Sequence, residues 1–272
     1  MRYLKSSFDR IVVTIFLLVS SAPFFWLIGT SLKSEDLVQQ IPPRIIPNFE
    51  LTAYKSIIQN ESMQKTLTNS FVTAIGATVL CMILGTMASF ALINLSSKRH
   101  AEFEFWILST RLAPVIAIAL PLFIVFQALG IQDTILGLVV AHSVMLIGLV
   151  TWILLETFRA IPSDVLDASE VDGCSNLQVF RLVVVPLSRS SIIGVASLSF
   201  LLSWNEFFLS LVLTSSDAMT VQVLLYQSIG YQTFSLSQLA ATSVVVLTPT
   251  IVVVSLFQKQ LIQGLTFGSV KG

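Results

Sequence analysis

The sequence predicts an all-α polytopic membrane protein with six transmembrane helices in one domain over 1–272. Three observations lead there. Charged residues make up only 11% of the chain, against roughly 25% in soluble domains. Apolar residues make up 54%. Charge-free stretches long enough to cross a bilayer, about 20 residues each, recur along the chain. So few charges do not cover a water-facing surface, so much of the surface faces lipid. Net charge is zero, with 15 basic and 15 acidic residues, which gives no basic surface for nucleic acid.

The first span is placed at 11–31. A basic start (Arg2, Lys5, Arg10) precedes an uncharged run from Ile11 to Leu32. That run exceeds the roughly 7–15-residue core of a signal peptide, so it reads as a retained helix. The remaining spans are placed at 71–95, 105–126, 134–156, 190–213 and 239–257. No charge occurs between Asp217 and Lys259, and two spans fit there by length. However, Tyr226–Gln238 is polar and Thr220–Leu225 is too short to cross, so Ala218–Ser237 is expected outside the membrane or at its interface.

Lysine and arginine placement sets the orientation. The N-terminal segment, the second loop (Lys98, Arg99), the fourth loop (Arg159, Arg181, Arg189) and the tail (Lys259, Lys271) carry the basic residues. The third loop, Gln127–Asp133, and the fifth, Thr214–Ser237, carry none. Both termini are therefore expected in the cytoplasm. The first loop, Lys33–Lys65, is the exception, with four basic residues on the outer side.

The fourth loop, 159–189, is too polar for membrane and too patterned for a linker. Ser163 is expected as an N-cap, with Asp164 at the positive end of a helix running to about Asp172. Gly173 supplies the stop. Ser175 and Gln178 have capping-box spacing. Leu177, Phe180 and Val184 are then expected on one face, and Pro186 ends or kinks the second helix. By itself this pattern also suits a solvated amphipathic connector.

The same loop resembles the E-A-A-x(3)-G-x(9)-I-x-L-P pattern of ABC importer permeases. Asp167-Ala168-Ser169 is followed by three residues, Gly173, nine residues and Val183-Val184-Val185-Pro186. The departures are Asp for Glu, Ser for Ala, and Val for Ile and Leu. A narrower branch, the carbohydrate-importer permeases of maltose-system type, is suggested by Trp204-Asn205-Glu206-Phe207 and by the tail from Gly264 to Gly272. The resemblance implies the type I importer fold, with a coupling helix docked in a cleft of an ATPase subunit. It assigns that contact to Asp164, Asp167, Ala168, Ser169, Glu170, Asp172, Gly173, Phe180 and Pro186. In the tail, 258–272, it implies that Gly264, Thr266 and Gly268 touch the ATPases.

The partners it implies are a second homologous permease, two ATPase subunits and a periplasmic or lipid-anchored solute-binding protein. ATP and Mg²⁺ would sit in the ATPase, with no cofactor on this chain, in the inner membrane of a bacterium. The cargo would be a sugar or sugar-like solute, with a non-sugar solute as the alternative.

Charges inside a membrane are costly and mark function or an interface. Arg111, within the third span, either snorkels to the headgroups or faces the translocation pathway or a partner helix. Pro114 and Pro121 are expected to kink that span. Asn205 and Glu206, near the middle of the fifth span, offer hydrogen-bonding groups for a sugar, and Trp204 a stacking face. The other reading is a polar contact within the bundle. His142 reads as a packing histidine, and Glu156 and Arg159 as interfacial.

The chain has no G-x-x-x-x-G-K-[ST], H-E-x-x-H or G-x-S-x-G segment. With two histidines and two separated cysteines, Cys81 and Cys174, no metal site is expected. Energy must therefore come from another subunit. A stand-alone secondary transporter is the rival, but it calls for repeats and central ion-coupling acids, and Glu206 is the one central acid.

Overall fold

The computed structural model describes residues 7–94, 97–110, 113–231 and 234–265. Among the described residues all regular structure is helical. In chain order the helices are α1 (Ser7–Ser31), α2 (Glu35–Val38), α3 (Thr52–Gln59), α4 (Glu61–Ile93), α5 (Ser97–Ser109) and α6 (Val115–Leu129). Next come α7 (Ile135–Arg159), α8 (Ser163–Val171) and α9 (Asn176–Val179), a π turn at Phe180–Val184, and α10 (Val185–Leu187). The chain closes with α11 (Arg189–Trp204), α12 (Phe208–Leu213), α13 (Val221–Gly230) and α14 (Leu236–Leu265). Arg111, Thr266 and Gly268 lie outside the described residues.

Among the described residues four helices are individually long and apolar enough to cross a bilayer: Asp9–Ser31, Glu61–Ile93, Ile135–Arg159 and Leu236–Ile262. The third and fifth expected spans are instead each broken in two. The third divides into α5 and α6, with extended Pro114 as the N-cap of α6. Proline disfavours helical backbone in the residue before it, which accounts for the break there. Pro121, expected to kink the span as well, lies inside α6 without ending it. The fifth divides into α11 and α12 around Asn205–Phe207. Hydropathy registers apolar length, not helical continuity, so neither break is visible in it. α4 begins ten residues before the expected 71; its 33 residues span about 50 Å, well beyond the roughly 30 Å core.

The chain forms two compact units where one was expected. The first comprises Met1–Lys65 and Leu224–Thr248, the second Thr66–Val223 and Pro249–Gly272. The division follows the contacts of the first 65 residues, whose long-range hydrogen bonds reach residues 236–238.

In the first unit, α1 is apolar and none of its spanning window is buried, so its surface is left for lipid or another helix. The loop that follows is well tied. Ser31 Oγ meets Tyr54 Oη at 2.8 Å. Lys33 Nζ donates to Arg44 O at 2.5 Å and lies 4.8 Å from the Trp26 ring centroid. Glu35 accepts from the Ser237 hydroxyl at 2.8 Å and from the backbone N–H groups of Leu236 and Ser237 at 3.3 Å each. It thereby satisfies the free N–H groups at the start of α14.

In the second unit, α7 is the buried centre. Thr134 caps it, its hydroxyl accepting from Gly137 N at 3.0 Å. α4 approaches α7 through small residues, the device that lets membrane helices pack closely. Ala74, Ala77 and Cys81 are fully buried, and Ser89 Oγ donates across to Thr151 O at 2.8 Å. On α11, a Cβ at Gly194 would stand 2.3 Å from Gln260 O, so only glycine fits. One core cluster joins α7 to α4, α11 and the α8–α10 loop through Val150, Leu154, Phe158, Val179, Val184 and Val195. A second joins α7 to α6 and α12 through Leu138, Ala141, Phe126, Leu209 and Leu213.

Partial burial pushes the Glu35 carboxyl up, but hydrogen bonds from Gln39, Ser237 and Ser235 prevail and lower it to about 2 from 4.5. A depressed carboxylate contributes stability that is complete above the unfolded value of 4.5 and drains as pH falls through about 2. We therefore expect Glu35→Gln to be less stable at neutral pH and to lose less on acidification. Thermal unfolding of the detergent-solubilised protein across that window checks it; parallel slopes for the two proteins refute it.

Candidate functional site

The loop between α7 and α11 is a braced, two-faced element. α7 delivers it through Arg159, which donates to Glu156 Oε1 at 2.9 Å and pairs with Glu104 of α5. The N-cap of α8 is Pro162, and Ser163 is the first helical residue, with no side-chain capping bond. Ser163 is therefore not the cap; the rigid extended backbone of Pro162 sets the helix start one residue earlier. Asp164 remains in the first turn, where the helix dipole favours it.

α8 turns Asp164, Asp167, Ala168 and Glu170 outward, and Asp172 after it is exposed too. Ser169 is buried, its hydroxyl donating to Leu166 O at 2.6 Å, and Leu166 packs on the core. Gly173 stops the helix at φ +78°: its N–H donates to Glu170 O and that of Cys174 to Ser169 O, each at 3.0 Å. Such a closure suits glycine because a Cβ resists this backbone. At the tip stands Val171, 88% exposed, an apolar knob among carboxylates. Sequence reading passed over it because a lone valine between Glu170 and Asp172 carries no periodic signal.

Beyond Gly173, Gln178 Oε1 accepts from Ser175 N at 2.8 Å and from its hydroxyl at 2.9 Å. The expected Leu177–Phe180–Val184 face does not form. The π turn inserts a residue, so Val179 and Val184 become the buried pair while Leu177 is 59% exposed. Phe180 does pack inward, its ring 5.0 Å from Phe90 of α4. The second helix ends close to Pro186, as expected, though one residue beyond it. Pro186 lies in α10, and the 79° bend comes just after it, between Leu187 and Arg189.

A second polar group lies where the fifth span breaks. Glu206 Oε1 accepts from Leu209 N at 2.8 Å and Oε2 from Ser210 N at 3.2 Å, so Glu206 satisfies the N–H groups that the break frees. His142 of α7 is 2% exposed. Its Nδ1 meets Ser203 Oγ at 2.7 Å, and its Nε2 meets Ser210 Oγ at 3.3 Å and Glu206 Oε2 at 3.4 Å. A cavity of about 170 Å³ opens beside it, walled by Val115, Met145, Leu146, Ser203 and Glu206 among others. Asn205 is exposed, with Nδ2 donating to Leu201 O at 2.7 Å.

Trp204 departs from expectation. It is 1% exposed, with Phe71 at 4.6 Å and Phe200 at 6.0 Å between ring centroids. Its indole is core packing between α4 and α11, and no face is left for a sugar. Gly264 lies inside α14, one residue from its end.

A third polar group, also unforeseen, fixes the loop after α12. Asp133 accepts four backbone N–H bonds, from Ser215, Ser216, Asp217 and Ala218, at 3.0–3.1 Å. Asn69 Nδ2 donates to Asp217 O at 2.9 Å and Met219 O at 3.0 Å. Burial raises the Asp133 carboxyl, and the four donors outweigh it and hold it below the usual range.

The family profile described as "Binding-protein-dependent transport system inner membrane component" matches residues 82–266. The sulfoquinovosyl glycerol transport system permease protein SmoH of Agrobacterium fabrum is 30% identical over 268 residues, 97% of this chain and 93% of that protein. The trehalose transport system permease protein SugB of Mycobacterium tuberculosis is 32% identical over 254 residues, 92% of each. A crystal structure of a bacterial ABC transporter involved in the import of the acidic polysaccharide alginate superposes with a TM-score of 0.78. That match covers 94% of this chain and 98% of that one at 22% identity, a likeness of fold.

Removing the histidine takes the imidazole from the hydroxyls of Ser203 and Ser210 and from Glu206 Oε2, which keeps the Ser210 N–H. We expect His142→Ala to cost about 1–3 kcal/mol and Ser203→Ala less, because Glu206 keeps its cap on α12. The thermal unfolding midpoint of the purified protein measures both; a His142→Ala midpoint equal to wild type would show that the bonds carry no net stability.

Proposed function

The chain belongs to the family of binding-protein-dependent transport system inner membrane components, and from that premise we propose that it imports a sugar or sugar-like solute as one permease of an ATP-driven importer. The names of its relatives, which concern trehalose and sulfoquinovosyl glycerol, support the sugar class. It is assembled with a second homologous permease, two ATPase subunits and an external solute-binding protein. ATP and Mg²⁺ bind in the ATPases. The chain lies in a bacterial inner membrane with both termini and the 159–189 loop in the cytoplasm, as the lysine and arginine placement indicates.

The observation that carries this reading is the build of α8. A nine-residue helix presents carboxylates and Val171 outward, while Leu166, Val179 and Val184 root its loop in the core of α7 and α11. A helix so rooted moves with those spans as a rigid body. We assign the ATPase contact to Asp164, Asp167, Ala168, Glu170, Asp172 and the exposed Val171. Ser169, Gly173, Phe180 and Pro186 act behind that face, holding its shape. The tail residues Gly264, Thr266 and Gly268 add a second contact with the ATPases. Arg111, Asn205 and Glu206 are assigned to the translocation pathway, with Glu206 reaching the cavity beside His142. The loop pinned by Asp133 and Asn69 faces the binding protein.

Proline at position 173 cannot adopt φ +78° and deletes the N–H donated to Glu170. In liposomes holding the whole transporter, we expect Gly173→Pro to reduce binding-protein-stimulated ATP hydrolysis about 5–150-fold, the range of a lost coupling energy. Unchanged stimulation with the complex intact would refute the role of the loop. Transport of labelled sugars by the wild type in the same liposomes identifies the cargo.

A further inference from the structure

A groove of about 360 Å³ lies between the end of α4 and the second half of the cytoplasmic loop. Its lining is Met87 and Phe90 from α4, then Asn176, Leu177, Phe180 and Arg181. Met87 and Leu177 are each 59% exposed. The apolar surface does not stop at the groove. Leu182 and Leu187 follow Leu177 at the same spacing of five, 67% and 60% exposed. A row of exposed leucines continuous with a spanning helix suits contact with lipid rather than water.

The polar part of the groove is cationic. Arg181 is exposed, and among the described residues it makes no ion pair. The carboxylates of the loop stand elsewhere: Asp164, Asp167 and Glu170 are on α8 and Asp172 directly follows it. The loop is thus divided between an acidic part with a valine tip and a basic part backed by apolar residues of a span. A guanidinium is suited to phosphate through paired hydrogen bonds, and a side-chain amide can add another.

We propose that this groove binds an anionic phospholipid of the cytoplasmic leaflet, with acyl chain on Met87, Phe90, Leu177 and Phe180 and phosphate on Arg181 and Asn176. This rests on the orientation proposed above, with the loop inside. Lipid bound there touches a spanning helix and the coupling loop together, at the level where the loop leaves the bilayer. Anionic lipids are the chemistry that a cytoplasmic surface offers to such a cation.

The test is native mass spectrometry of the whole transporter, released from nanodiscs holding equal amounts of phosphatidylglycerol and phosphatidylcholine. The wild type is expected to retain phosphatidylglycerol preferentially. Arg181→Gln is expected to cut that retention about fivefold, the effect of one cation at a lipid surface, and Arg181→Lys to keep most of it. Leu177→Trp, which fills the groove, is expected to lose both lipids, whereas a phosphate bound without its acyl chains would survive. Equal retention by wild type and Arg181→Gln overturns the proposal. So does a photo-crosslinker at Leu177 that captures another subunit in place of lipid. ATPase subunits are read in the same spectra: present without retained lipid, they overturn the lipid site alone, and their absence overturns the importer reading beneath it.

Discussion

The structure of the second unit depends on the burial of α7. Most transmembrane helices give lipid a large part of their surface, but this one gives nearly all of its middle and C-terminal half to other helices. Its N-terminal end packs Leu138 and Ala141 against α6 and α12. Its C-terminal end packs Leu154 and Phe158 against the 159–189 loop and α11. At 25 residues it extends about 38 Å, so one stiff rod touches both ends of the proposed pathway. Close packing transmits displacement because a dense core resists compression. Small residues on α4 bring the backbones near enough for that packing: a Cβ at Gly76 or Gly85 would overlap Val139 or Val150 of α7.

Where the spans are broken, the freed backbone groups find partners inside the protein. This is the condition that lipid imposes on irregular backbone. The break in the fifth span is met by Glu206, whose two oxygens take the N–H groups of Leu209 and Ser210. His142 then bridges the break from α7, touching Ser203 before it and Ser210 after it. A carboxylate in the middle of a span is costly, and here the N–H groups of Leu209 and Ser210, the Ser210 hydroxyl and a buried imidazole offset the cost. The same residue therefore holds the break and lines the cavity beside His142. For Trp204 the choice between bundle contact and pathway is real, and packing against Phe71 decides it.

The sequence disclosed the parts that rest on local chemistry. Gly173 was legible because a helix-stop glycine between acidic and apolar runs has one ready use. The spacing from Asp167 to Pro186 was legible because it repeats a known pattern. The spans were legible as apolar length, which is why a chain of several membrane-crossing helices could be read while the breaks could not. What escaped depends on residues distant in the chain. Nothing near Asp133 announces that it will collect four N–H groups from 215–218. Nothing near His142 points to Ser203. The π turn escaped for another reason: a helical periodicity of 3.6 was assumed through Phe180–Val184, and one extra residue per turn moved Leu177 from the core to the surface.

That single inserted residue has a consequence for how the loop works. With ordinary helical phase, Leu177, Phe180 and Val184 would all face inward, and the outer side would be polar. The π turn puts leucines at 177, 182 and 187 outside instead, while Val179 and Val184 keep the loop attached to the core. In the proposed role, an element that follows α7 and α11 while lying along the membrane needs both an apolar root and an apolar outer side. An α-helix this short, with one apolar stripe, supplies only the first. The π turn supplies both and leaves the exposed carboxylates of α8 on a separate part of the loop.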